Sequence, residues 1–155
     1  MVLAAPVALP DLADAASVSR AILDLVNAAR AAGHHCGAKY FPPVAPLTLN
    51  ASLTNAALAH SREMARNGRL DHRGRDGSTP AARVERAGYG AHRIVGENIA
   101  AGGMTPAEVT EGWLGSPAHC ENIMDGRFTQ IGIAYAPNLN TAAGMYWTQD
   151  FAAPR

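Results

Sequence analysis

Gly112-Trp113-Leu114-Gly115-Ser116-Pro117-Ala118-His119-Cys120-Glu121-Asn122-Ile123-Met124 brings together a tryptophan, a helix start, a histidine and one of the two cysteines of the chain. Ser116 before Pro117 reads as an N-cap and a first helical position. The missing proline N–H costs nothing there, and the serine oxygen can accept from an orphan backbone donor. His119 then falls in the first turn of a short helix, where it can face a cleft. Two upstream segments supply chemical partners: Asp71-His72-Arg73-Gly74-Arg75-Asp76-Gly77 and Gly96-Glu97-Asn98-Ile99-Ala100. We expect His72, Glu97 and His119 to meet in one pocket.

Outward from this stretch the pattern is mainly helical. Between Ser17 and Ala32, Val18, Ile22, Leu25, Val26 and Ala29 recur with helical period, and Arg20, Asp24 and Arg30 fall off that stripe. Gly33 ends this helix, and a loop carrying His34 and His35 runs on to Pro46. Asn50 caps a second helix that closes near Asn67-Gly68, with His60 on its apolar face beside Leu53, Ala56, Ala57 and Met64. That placement reads as a core histidine with a satisfied ring, the alternative being a ligand. His72 lies in a polar, glycine-punctuated loop and on no apolar stripe, so the core explanation loses force.

Thr79-Pro80 opens a third helix, with Val84 and Ala87 turned inward and Gly88 as its stop. A short strand runs from Ile94 to Ile99. Glu97 on it is either solvent-facing or buried and paired, because an unpaired buried carboxylate is costly. Thr105-Pro106-Ala107-Glu108 is a capping box ahead of a fourth helix that buries Val109 and Trp113. Phe128–Tyr135 and Met145–Phe151 alternate as strands around a long hairpin loop, Pro137–Gly144. Helices with a small, mainly antiparallel sheet predict an α+β fold, with one domain over 17–155 and an N-terminal arm over 1–16.

The 155 residues suffice for a core, and 48% are hydrophobic against 17% charged. Net charge is zero with interspersed signs, which predicts no nucleic-acid partner and no polybasic membrane anchor. No apolar run approaches the roughly 20 residues of a membrane span. The first ten residues are apolar and proline-broken without a basic start. They read as the remnant of an export signal or as a loose arm. Cys36 and Cys120 are either two buried thiols or one disulfide. We favour the disulfide, because a Gly/His loop is a poor place to bury a free thiol.

Two imidazoles and a carboxylate suit a divalent metal such as zinc, with a fourth position for water or an anion. The three come from separate segments and show no chelating spacing. Without metal, Glu97 could orient a histidine as a general base. Ser116 is better explained as a cap than as a nucleophile, and no Gly-x-Ser-x-Gly elbow or phosphate-binding glycine pattern is present.

Taken together, Leu25-Val26-Asn27-Ala28-Ala29-Arg30, Pro46-Leu47-Thr48-Leu49-Asn50, Leu70-Asp71-His72 with Asp76-Gly77, Gly96 through Ala100, Trp113 through Met124 and Ile131-Gly132-Ile133 form an ordered set. The set resembles the CAP superfamily of cysteine-rich secretory proteins, antigen 5 and plant pathogenesis-related proteins, in its bacterial SCP-like branch. The likeness runs over about 17–152.

The resemblance implies a three-layer α-β-α sandwich, a secreted or periplasmic address and the Cys36–Cys120 disulfide. It also implies a cleft of two histidines and two glutamates able to hold a divalent metal. The histidines fall on His72 and His119 and one glutamate on Glu97. The second glutamate falls on Ser116, and neither Glu111 nor Glu121 matches it. Family members bind sterols or lipids, act in defence or host interaction, or in some cases cleave proteins. Three roles follow as expectations: a cleft binding a metal, a small ligand or a lipid; a metal-assisted, peptidase-like hydrolase; a non-catalytic domain binding an envelope component.

Overall fold

The computed structural model describes residues 12–155. The first helix, α1 (Leu12–Ala32), begins five residues before the expected Ser17, so part of the expected arm is helical. The expected export-signal remnant lies outside the described residues. The elements then run β1 (His34–Cys36), β2 (Lys39–Phe41), β3 (Thr48–Leu49), α2 (Ala51–Asn67), α3 (Pro80–Arg86), β4 (His92–Ala101), α4 (Pro106–Leu114), α5 (Pro117–Met124), β5 (Gln130–Asn138) and β6 (Gly144–Pro154). The expected loop from His34 to Pro46 contains a hairpin instead: β1 and β2 pair antiparallel, and Gly37 supplies a φ of 62° at the turn.

The main sheet has the order β3-β5-β6-β4. Its β3–β5 pair is parallel and the other two are antiparallel. All three long strands outrun their expected bounds. β5 and β6 stay paired up to Asn138 and Gly144, which shortens the hairpin loop to residues 139–143.

Helices cover both faces. On one face, Ile22 and Val26 of α1, Val109 and Trp113 of α4, and Ile123 of α5 pack with Ile131, Ile133, Trp147 and Phe151. On the other, α2 and α3 pack Leu53, Ala56 and Val84 against Ala152, and Met64 against Ile99, Ala136 and Tyr146. This is the three-layer α-β-α sandwich of an α+β fold. The contact between α2 and β5 requires Gly132, because a Cβ there would overlap the backbone of Leu53 and Thr54.

In α1 the expected faces are partly reversed. Leu25 is 40% exposed, whereas Arg30 is wholly buried. The reason is hydrogen bonding. Arg30 Nε donates to Ala45 O at 2.7 Å, Nη1 to Ile123 O and Asp125 O, and Nη2 to Phe128 O. It thereby satisfies carbonyls at the end of α5, where no intrahelical donor is available. Asn27 pins the following loop by exchanging two bonds with Leu47. The Cys36–Cys120 disulfide ties the hairpin to α5 with Cα atoms 5.4 Å apart. Among the described residues no helix is long and apolar enough to cross a membrane.

Candidate functional site

The site is built on β4, the edge strand. Its side chains alternate, so Val95, Glu97 and Ile99 point toward the α2/α3 layer and Asn98 toward the α5 layer. Glu97 is the buried and paired carboxylate of the two readings, with 1% of its side chain exposed. Its Oε1 accepts from His72 Nδ1 at 2.9 Å, and its Oε2 from Arg83 Nη2 at 2.8 Å. Arg83 comes from α3, whose start Thr79 caps through its side-chain oxygen. The same guanidinium donates to the His72 carbonyl at 2.8 Å and to the Ser78 carbonyl at 2.9 Å. It therefore fixes both the loop that carries His72 and the acid that His72 touches.

Asp150 stands opposite Glu97 in the β4–β6 register. It is completely buried, with its carboxyl group against that of Glu97. Burial, reinforced by the Glu97 charge, pushes its pKa well above the ordinary aspartate range, so Asp150 is the neutral acid of the pair. For Glu97 burial works in the same direction. The hydrogen bonds from His72 and Asp150 and the charge of Arg83 outweigh it and leave its pKa below the ordinary value. Glu97 is thus the anion.

With Glu97 ionised, His72 Nδ1 is the donor of this bond, so in the neutral ring the lone pair lies on Nε2. About half of the His72 side chain is exposed, so that lone pair meets solvent. His119 sits in the first turn of α5, half-buried. Burial lowers its pKa, and the nearby His72 lowers it further. The two imidazoles therefore lie within electrostatic reach of each other. No hydrogen bond joins the His119 ring to Glu97 or His72. The helix is held in place by asparagines: Asn98 Nδ2 donates to the His119 carbonyl at 3.1 Å, and Asn122 Nδ2 to the Glu97 carbonyl at 3.2 Å and to Asn98 Oδ1 at 2.9 Å. Trp113 Nε1 holds the next outward carbonyl of β4, that of Ile99, at 3.1 Å.

Two expectations are modified here. Ser116 does occupy the N-cap of α5 in extended conformation, but its side chain makes no capping bond. Cys120 N–H instead reaches the Ser116 carbonyl as an ordinary helical bond. Glu97 was expected as a metal ligand. Both of its oxygens are already bonded, to His72 and Arg83, and among the described residues no three His, Cys, Asp or Glu side chains are placed to hold a metal. Only the two imidazoles keep free ring nitrogens of the right donor type.

The sequence reading missed Arg83, Asp150, Asn98 and Asn122 as parts of the site, and it placed His60 in the core. His60 is indeed buried, but it lies 3.8 Å from Glu97. Its position one helical turn before Met64, with Arg83 one turn after Thr79, was the available signal: both are polar residues on otherwise inward faces.

The family model of the cysteine-rich secretory protein family matches residues 23–151. The uncharacterized protein YkwD of Bacillus subtilis (strain 168) is 34% identical over 106 residues, which cover 68% of this chain and 39% of that protein. An extracellular protein containing a SCP domain from Bacillus anthracis superposes with a TM-score of 0.74 at 23% identity, over 97% of this chain and 45% of that one. An outer surface protein from Borrelia burgdorferi gives a TM-score of 0.64 at 20% identity, covering 72% and 80%. The chain thus spans less than half of the two Bacillus proteins. The structural likenesses, at these identities, speak for the fold alone.

Proposed function

The chain belongs to the cysteine-rich secretory protein (CAP) family, and from that premise we propose that it is an exported SCP-like domain whose His72–His119 pair binds a divalent metal ion such as zinc. The observation that carries this reading is the 2.9 Å bond between His72 Nδ1 and the buried, ionised Glu97. A carboxylate on one ring nitrogen fixes the tautomer and orientation of the other, which is how metal-binding histidines are held. Glu97 serves as that orienting acid and not as a ligand. His72 Nε2 and one His119 nitrogen would be the protein ligands, leaving further positions on the metal for water or an oxygen of a bound molecule. A metal held there would act as a Lewis acid toward that oxygen.

Two protein ligands hold zinc less tightly than the three or four of dedicated sites. The proposed role is therefore reversible capture of a ligand at the cell exterior. Extracellular placement is supported by the disulfide and by the extracellular and outer-surface proteins that share the fold.

Calorimetric titration with zinc at neutral pH tests this. The parent should take up one ion, and His72→Ala and His119→Ala should each abolish the uptake. Glu97→Gln should weaken it about 10–100-fold while both imidazoles remain. Zinc uptake that is unchanged in both histidine variants would refute the proposal.

A further inference from the structure

A second arrangement of polar groups meets the same Glu97 oxygen from α2, with His60 Nε2 3.8 Å from Oε1. His60 on α2 has 1% of its side chain exposed, and its Nε2 stands 2.7 Å from the Asp71 carbonyl oxygen. A carbonyl can only accept, so Nε2 carries the hydrogen and Nδ1 is left with a lone pair. That buried lone pair has no hydrogen-bond partner. Glu63 Oε2, 3.8 Å away, is also an acceptor and cannot satisfy it. Orphaned buried acceptors are rare in folded proteins.

Both residues line a cavity of about 540 Å³ between the C-terminal half of α2 and the loop that follows it. That volume falls in the range of small-molecule sites. Glu63 Oε1 is held by the Arg75 N–H, which leaves Oε2 to the cavity. The rim carries Arg69, Arg73 and Arg75. Arg69 is neutralised by Asp71 at 3.2 Å, and Arg73 reaches only the Gly77 carbonyl, at 3.4 Å. The inner end therefore presents two acceptors, one of them a carboxylate, and the mouth presents cations.

Two acceptors 3.8 Å apart can share one nitrogen at about 2.9 Å from each. A neutral hydroxyl would answer the imidazole but leave the carboxylate without a counter-charge. We propose that this cavity binds a small zwitterion of the amino-acid type. Its ammonium bridges His60 Nδ1 and Glu63 Oε2, and its carboxylate lies toward Arg73 and Arg75. Nδ1 is almost fully covered, so the ammonium enters as the flexible Glu63 side chain moves outward. The cavity lining contains Asp71 and Arg73 but neither His72 nor His119, so its ligand groups differ from those of the histidine pair.

The test is nitrogen-15 NMR of the imidazole resonances during titration with alanine, N-acetylalanine and alaninamide. Alanine should shift the His60 Nδ1 resonance saturably. Removing the ammonium charge by acetylation should abolish the shift, and removing the carboxylate as the amide should weaken it several-fold. Glu63→Gln, a substitution at a partly exposed position, should raise the alanine Kd about tenfold with the fold intact by circular dichroism. His72→Ala should leave alanine binding unchanged. No shift of His60 with alanine, equal shifts with all three probes, or an unchanged Kd in Glu63→Gln would each overturn the proposal.

Discussion

Toward α1, α4 and α5, strands β5 and β6 present Ile131, Ile133, Tyr135, Trp147 and Phe151. Toward α2 the same strands present Gly132, Ala134, Ala136, Thr148, Asp150 and Ala152. The first face is filled by large hydrocarbon side chains. On the second, α2 approaches the strand backbone itself, and Ser61 bonds Thr148 and the Ala134 carbonyl across the contact. The charges of the site, Glu97, Arg83 and Asp150, all lie on this second side. A buried ion pair contributes little net stability, because desolvation offsets its attraction. Stability must therefore come mainly from the hydrocarbon face, where apolar burial contributes roughly 25 cal/mol per Å². The polar face holds its groups in fixed positions at a cost.

The disulfide gives the largest test of this division, since it fastens α5 on the hydrocarbon side. Closing a loop of 84 residues is worth about 4–5 kcal/mol in the chain-entropy description. The double variant Cys36→Ser/Cys120→Ser should lose that much in denaturant unfolding. A loss under about 1 kcal/mol would mean that the hydrocarbon face does not depend on its staple.

A sharper contrast sets one methyl group against another. Gly132→Ala adds a methyl where the backbone of α2 sits and should cost about 2 kcal/mol. Ile133→Val removes one from the opposite face and should cost about 1 kcal/mol. Equal or inverted costs would show that α2 can shift away from β5, and the two faces would then differ less than described.

A last test concerns pH. Free aspartate ionises near 3.9, but Asp150 holds its proton in the fold because of burial and Glu97. Between the unfolded pKa and the raised native one the folded state binds more protons than the unfolded chain, so stability falls as pH rises above about 4 through that window. Asp150→Asn needs no proton, so it should be more stable than the parent at pH 7 and equal to it near pH 3. Glu97 has the opposite sign. With its pKa lowered, its contribution is present above about 4.3 and is lost as pH falls through the native value. Thermal melting between pH 3 and 8 reads both slopes. A variant less stable than the parent at pH 7 would make Asp150 the second anion facing Arg83.

The helices on the two sides were legible to different degrees. Periodicity and caps located α2, α3 and α4 well, because Asn50, Thr79 and Thr105 each cap through their own side chains. The start of α5 was located for a reason that proved incomplete, since Ser116 caps without its hydroxyl. Arg30 was misplaced because a period counts hydrophobicity. It cannot register a guanidinium whose partners, the carbonyls of Ala45, Ile123, Asp125 and Phe128, are distant in the chain. His72 and Glu97 were identified by being awkward in any structural role. Arg83, Asp150 and His60 were not, because a polar residue on an inward face becomes part of a site only once the third dimension says what it meets.

The outward carbonyls of Glu97 and Ile99 on β4 are taken up by the side chains of Asn122 and Trp113. A sheet whose last strand is occupied this way offers no template for a further strand from another molecule. At the opposite margin β3 has two residues and pairs only with Gln130 and Ile131 of β5. The groups that position the site thus also close part of the sheet margin to strand addition.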